Sequence, residues 1–354
     1  MHLRRQLIPV ITLALAVPTI AAFPIASHVQ AAPQRAGMTG KVAFLFSDFT
    51  TSPRWQFDRK FFIQDLKKLD PGIQVVVYDA KAAQTNQQNQ AKSALTSGAK
   101  LIIDVPVSDQ AAAIVKAAHA NSPRVPVLAY DRLIKGAYED AYASFDGFAV
   151  GVQQGKFIKA HVAKGGTIVS IAGSPTDNNA HLFYDGAMSV LKPLISSGYY
   201  KLGYDKFTPN WDAATAQQEM ASALNQLNNK VNGVLVANDT MAGAVVTALA
   251  AQKLAGKIPV TGQDASAAGI QQICLGNQSM TIYKPVIKLA ARAAQIADTL
   301  LHHKGYKSSI KTQTGAGGTP SAILPVITVT KANIASTVFK DGYVTRAQAP
   351  QCHL

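Results

Sequence analysis

The chain has 354 residues, 48% of them hydrophobic and 15% charged, which excludes a disordered polypeptide and leaves room for two domains. Its formal charge of +14 comes from 34 basic and 20 acidic residues. The lysines are spread along the chain and no basic run carries interleaved aromatics, so a generally cationic surface is expected and no nucleic-acid partner.

Taken from the N-terminus, Arg4-Arg5 precedes an almost uncharged apolar stretch at 7–22 and then small residues, with a cleavage point before Ala32. This pattern predicts a cleaved signal peptide over 1–31 and a periplasmic destination. Pro18 and Pro24 and the modest length argue against a membrane anchor. No cysteine stands near the cleavage point to carry a lipid.

From Lys41 onward, strand and helix patterns alternate. Strands are predicted at 41–46, 74–78, 101–105 and 127–132, with helices at 54–69, 82–96 and 109–119 between them. A second round follows, with helices at 149–162, 178–191, 213–227, 240–252 and 267–275 and strands at 166–172, 233–237, 260–262 and 279–283. A long Ala-rich helix at 285–303 leads to a loop or hairpin at 304–320, a strand at 323–330 and a short helix at 333–339. The repetition implies an α/β fold of two doubly wound parallel-sheet lobes, with helices on both faces of each sheet.

Polar clusters fall just after strands in both rounds: 48–55, Asp131-Arg132, 174–179, Asn238-Asp239 and Gln263-Asp264. In open α/β sheets these strand ends are where ligands sit. Val127-Leu128-Ala129-Tyr130 is an apolar run ending abruptly in Asp131 and Arg132, whose side chains diverge if the backbone stays extended. A solvated ion pair is the plain reading of such a dipeptide taken alone.

Enzyme signatures are missing. No G-x-G-x-x-G follows a strand, no phosphate-binding G-x-x-x-x-G-K-[ST] is present, and Gly173-Ser174-Pro175 lacks the glycines of a nucleophile elbow. The eight histidines show no metal-ligand spacing beyond His302-His303, so neither a metal nor another cofactor is expected. A sugar fits the residues better. Its hydroxyls both donate and accept, which suits Asp, Asn, Arg and Lys, and its C–H faces suit aromatic planes such as Trp55 and Trp211.

At this point a resemblance enters. Arg54-Trp55-Gln56-Phe57-Asp58-Arg59, Ser144-Phe145-Asp146 and Gly173-Ser174-Pro175-Thr176-Asp177-Asn178-Asn179-Ala180 are similar to blocks of the periplasmic D-xylose-binding proteins. So are 127–134, Ala237-Asn238-Asp239, Gly262-Gln263-Asp264-Ala265, Met280-Thr281-Ile282-Tyr283-Lys284-Pro285 and Lys340-Asp341-Gly342-Tyr343. The resemblance implies a type I periplasmic binding protein that carries D-xylose to the permease of an ABC importer, as a monomer and without catalysis. Another aldose (ribose, arabinose, glucose or galactose) or presentation of sugar to a chemoreceptor is the alternative. Carried over by position, the sugar contacts are Arg54, Trp55, Asp131, Arg132, Asn179, Trp211, Asn238, Asp264 and Lys284. The loop Phe49-Thr50-Thr51-Ser52-Pro53 departs from the charged residues common there.

The resemblance also implies three chain crossings forming a hinge. One lobe would then hold 41–145 and 284–323, the other 146–283 and 324–354. Two cysteines, Cys274 and Cys352, are expected either to pair or to remain one buried and one terminal thiol. Asp131 and Asp264 are expected to accept from sugar hydroxyls while contributing little to ligand-free stability.

Overall fold

The computed structural model describes residues 39–353, so the signal segment expected at 1–31 lies outside the described residues. The first round of elements is β1 (Gly40–Phe46), α1 (Trp55–Leu69), β2 (Ile73–Asp79), α2 (Gln84–Thr96), β3 (Ala99–Asp104), α3 (Ala112–Ala120), β4 (Val127–Tyr130) and β5 (Ala141–Phe145). The second is α4 (Gly147–His161), β6 (Thr167–Ala172), α5 (Asn178–Ser196), β7 (Lys201–Phe207), α6 (Ala213–Gln226), β8 (Gly233–Val236), α7 (Asp239–Ala251), α8 (Ala267–Leu275) and β9 (Thr281–Tyr283). Then come α9 (Val286–Leu301), β10 (Lys311–Gln313), β11 (Gly318–Leu324) and β12 (Ile327–Val329).

The first sheet runs β10-β11-β5-β4-β3-β1-β2 and is parallel apart from β10. Alternation along β1 shows why it is buried on both faces. Val42, Phe44 and Phe46 enter one apolar cluster while Ala43 and Leu45 enter another on the opposite face. The second sheet is built on the parallel trio β7-β6-β8. A bridge from Val234 to Val260 and backbone bonds from Ser279 to Val260 and from Ile282 to Gly262 carry the ladder on to β9, which pairs antiparallel with β12.

Several elements depart from the sequence expectations. The strand expected at 260–262 is reduced to that one bridge. β5 and β7 have no counterpart in the predicted set. β5 is short and Ala/Ser-containing, with weak strand propensity, yet it is buried between β11 and β4. The strand expected at 323–330 is two strands, because Leu324 pairs with Phe145 in the first sheet and Ile327 with Tyr283 in the second. Pro325, which has no N–H for either ladder, stands at the break. The final helix is a single wide turn, Ala335–Phe339.

The chain thus passes from one sheet to the other at three places. These are Asp146, whose N–H donates to Leu324, the stretch after Tyr283, and Pro325-Val326. Helices α4 and α5 pack so closely that a Cβ on Gly151 would lie 1.8 Å from the Phe183 carbonyl oxygen. Cys274 and Cys352 are joined in a disulfide with a Cα–Cα distance of 5.1 Å, which fastens the C-terminal segment to the end of α8. Among the described residues no helix is long and apolar enough to cross a membrane.

Candidate binding site

The strand ends of both sheets face one cavity. All nine residues expected from the sequence line it: Arg54, Trp55, Asp131, Arg132, Asn179, Trp211, Asn238, Asp264 and Lys284. Thr51, Ser52, Asp177, Phe183 and Gln263 also line it. Of these, Asp177 caps the helix that carries Asn179, and Phe183 lies one helical turn beyond Asn179 on the same face. That spacing was the signal for Phe183. Thr51 and Ser52 belong to the polar cluster 48–55 that follows the first strand, which placed their loop at the site without singling out either residue.

Arg54 stands at the start of α1 and is 1% exposed. Its Nε and Nη2 donate to the two oxygens of Asp58, both at 3.0 Å, and its Nη1 donates to Asp131 Oδ1 at 2.7 Å. The Tyr130 hydroxyl also donates to Asp58. Burial raises Asp58, and the Arg54 charge works against that. Burial pushes Asp131 up as well, but the charges of Arg54, Lys284 and Arg132 outweigh it and hold the carboxyl below the usual range.

Asp131 departs from the extended conformation expected of it. Its φ is +62°, and its N–H donates to Ala143 at 2.7 Å. The left-handed residue turns the chain sharply at the end of β4, so Asp131 and Arg132 diverge through a turn rather than through strand alternation. Arg132 reaches Asp177 (Nε to Oδ2, 2.8 Å) and lies over the Trp55 ring at 5.7 Å. Trp211 and Asp264 also have positive φ, +58° and +94°. Non-glycine residues held there cost about 1–3 kcal/mol each and cluster at functional sites.

Trp211 donates its Nε1 proton to Asp177 Oδ2 at 3.1 Å. Its ring is seated against Gly173, where a Cβ would lie 2.1 Å from it. Lys284, at the crossing between β9 and α9, lies 3.0 Å from Asp264 Oδ1 and 4.0 Å from Asp131 Oδ1. The contact with Asp264 is an ion pair without an aligned hydrogen bond, which leaves Oδ1 able to accept one. The lining therefore sets the cations Arg54, Arg132 and Lys284 against the carboxylates Asp131, Asp177 and Asp264, all nearly buried, together with the indole rings of Trp55 and Trp211. Such a surface presents donors and acceptors to a neutral polyhydroxyl ligand without imposing net charge.

Behind the site, Asp239 accepts from Gln278 Nε2, Thr281 Oγ1 and the Ser266 N–H at 2.7–2.8 Å, which anchors the turn carrying Asp264. Burial lifts Asp239 to about 7, and it lifts Glu139, which is bonded to Thr319 in the first sheet, to about 7 as well. Burial also raises Asp104, near Glu139. Raised carboxyls bind more protons folded than unfolded, so their contribution is present below the unfolded value and is lost as pH rises to the folded one. Melting temperature is therefore expected to fall between pH 5 and pH 8. The Glu139→Gln variant, measured by calorimetry at both pH values, should show a shallower fall. The lowered Asp131 lies outside this window, since its contribution is lost only when pH drops below the ordinary carboxylate range.

Comparison with known proteins agrees with this geometry. Residues 42–305 match the periplasmic binding protein domain family. The chain is 39% identical over 291 residues to the D-xylose-binding periplasmic protein of Escherichia coli, covering 82% of this chain and 87% of that one. It is 33% identical over 312 residues to the multiple sugar-binding periplasmic receptor ChvE of Rhizobium radiobacter, covering 82% and 87%. Among solved structures, a carbohydrate transporter solute-binding protein from Chloroflexus aurantiacus in complex with D-glucose superposes with a TM-score of 0.79 at 29% identity, covering 87% of this chain and 97% of that one. Sequence blocks, two sheets with strand ends on one cavity and these relatives converge: the chain belongs to the periplasmic binding protein family.

Proposed function

We propose that the protein captures D-xylose in the cavity between two lobes and delivers it to the permease of an ABC importer. One observation carries the proposal: all nine residues carried over from the xylose-binding resemblance line a single cavity, although they come from points along the chain 230 residues apart. The 39% identity to the Escherichia coli xylose-binding protein supports the pentose over other aldoses. In this reading Asp131, Asp264 and Asn238 accept from or donate to hydroxyls, Arg54, Arg132, Asn179 and Lys284 donate, and Trp55 and Trp211 flank the ring. The lobes are 41–145 with 284–323 and 146–283 with 324–354, hinged at the three crossings, and the ligand favours closure by touching both. Export by the 1–31 segment places the protein in the periplasm.

A thermal-shift screen over aldopentoses and aldohexoses tests the choice of sugar, because a ligand that binds only the folded state stabilises it by mass action. D-Xylose is expected to give the largest shift. A larger shift with a hexose would move the assignment to that sugar, and no shift with any aldose would remove it.

A further inference from the structure

The loop between β1 and α1 is the part of the site that departs from the resemblance, and its structure gives it a role of its own. Asp48 organises it. One carboxylate oxygen accepts from the Thr50 N–H at 2.7 Å, the Thr51 N–H at 2.6 Å and the Thr50 hydroxyl at 3.1 Å. The other accepts from the Thr51 hydroxyl at 3.0 Å. Pro53 then fixes the backbone just ahead of Arg54. The tip so formed points across the cavity. Ser52 Oγ donates to Asp264 Oδ2 at 2.6 Å, and Asn238 Nδ2 reaches the Thr51 carbonyl at 3.4 Å. Ser52 follows the first sheet's β1, while Asp264 and Asn238 sit at strand ends of the second, so both bonds join the two sides directly.

We propose that Ser52 is a positioning residue of this site, latching the two sides together through Asp264 and deciding which carboxylate oxygen faces the ligand. Both Ser52 and Asp264 are about 5% exposed, so the bond is shielded from water. A hydroxyl bonded to a charged acceptor is stronger than a neutral pair. With Oδ2 committed to Ser52, Oδ1 beside Lys284 is the atom left for a ligand hydroxyl. Removing the Ser52 hydroxyl frees the Asp264 carboxylate to rotate and removes one bond that joins the two sides directly. The effect on affinity rests on the sugar reading above, whereas the effect on closure does not.

Two measurements on Ser52→Ala and Ser52→Thr test it. The first is D-xylose affinity and dissociation rate. Ser52→Ala should weaken binding about tenfold, mainly through faster release, and Ser52→Thr, which keeps the hydroxyl, should stay within about threefold of the parent. The second is the distance between spin labels on surface positions of the two sheets without added sugar. Ser52→Ala should shift the distribution toward longer distances, and Ser52→Thr should not. Unchanged affinity in Ser52→Ala would overturn the proposal, as would an unchanged distance distribution. Loss of affinity that Ser52→Thr fails to restore would assign Ser52 to packing alone. If the parent protein binds no aldose, the sugar reading falls, and the spin-label distances still decide the latch.

Discussion

Arg54→Met is expected to destabilise the ligand-free protein by about 3–5 kcal/mol, the usual consequence of removing one partner from a buried ion network. The guanidinium is 1% exposed and binds Asp58 and Asp131 at once, so its removal leaves two carboxylates facing a water-poor interior. Both would then take up protons at higher pH, and the variant should lose stability further between pH 5 and pH 8. Adding Asp58→Leu to Arg54→Met should recover part of the lost stability, because an apolar pair can replace a buried ion pair at little cost. It should not recover sugar binding, because Asp131 still lacks the partner that orients it. Denaturant unfolding and sugar titration on the single and double variants separate the two effects. Stability within about 1 kcal/mol of the parent in Arg54→Met would show that the network is not a structural element.

Asp131→Asn and Asp264→Asn are each expected to weaken D-xylose binding by roughly tenfold or more. An acceptor is lost and buried donors are left unpaired, at about 1–3 kcal/mol, where 1.4 kcal/mol is a factor of ten. The two should differ in stability, and here the structure changes the expectation drawn from the sequence. Asp131 is tied to Arg54 at 2.7 Å, so its carboxylate is part of the folded core as well as of the lining. Asp131→Asn should therefore lower the ligand-free melting temperature by several degrees. Asp264 engages Lys284 and Ser52 at the cleft, and its neutral variant should melt close to the parent. Equal affinity in parent and both variants, from titration, would place the ligand elsewhere.

The contrast between these two aspartates shows what was legible in the sequence. A strand that ends in Asp131-Arg132 can be read from the apolar run and its sudden stop, and so can the ends carrying Asn238 and Asp264. The buried network behind them could not be read that way. Arg54 and Asp58 are four apart on a helix, the spacing of an ordinary solvated pair, and only packing of α1 under the cavity encloses them. The strand β5 was hidden for a related reason. Its Ala and Ser residues carry weak propensity, and the sheet around it, not its own pattern, makes it a strand. Positive φ at Trp211 had no local signal either, whereas Asp131 and Asp264 are of a residue type enriched in that region without being confined to it. Ser52 was invisible as a partner of Asp264 because 212 residues separate them. Residue types and strand ends are local properties, whereas burial and pairing across the cleft belong to the assembled fold.

Isothermal titration of the protein with D-xylose, with D-glucose, D-ribose and L-arabinose run in parallel, is the most direct measurement. One molecule of D-xylose per chain, bound more tightly than any of the other three, is the predicted result. No heat with D-xylose alongside saturable binding of another sugar, or no binding of any of the four, would contradict the assignment of this cavity to xylose.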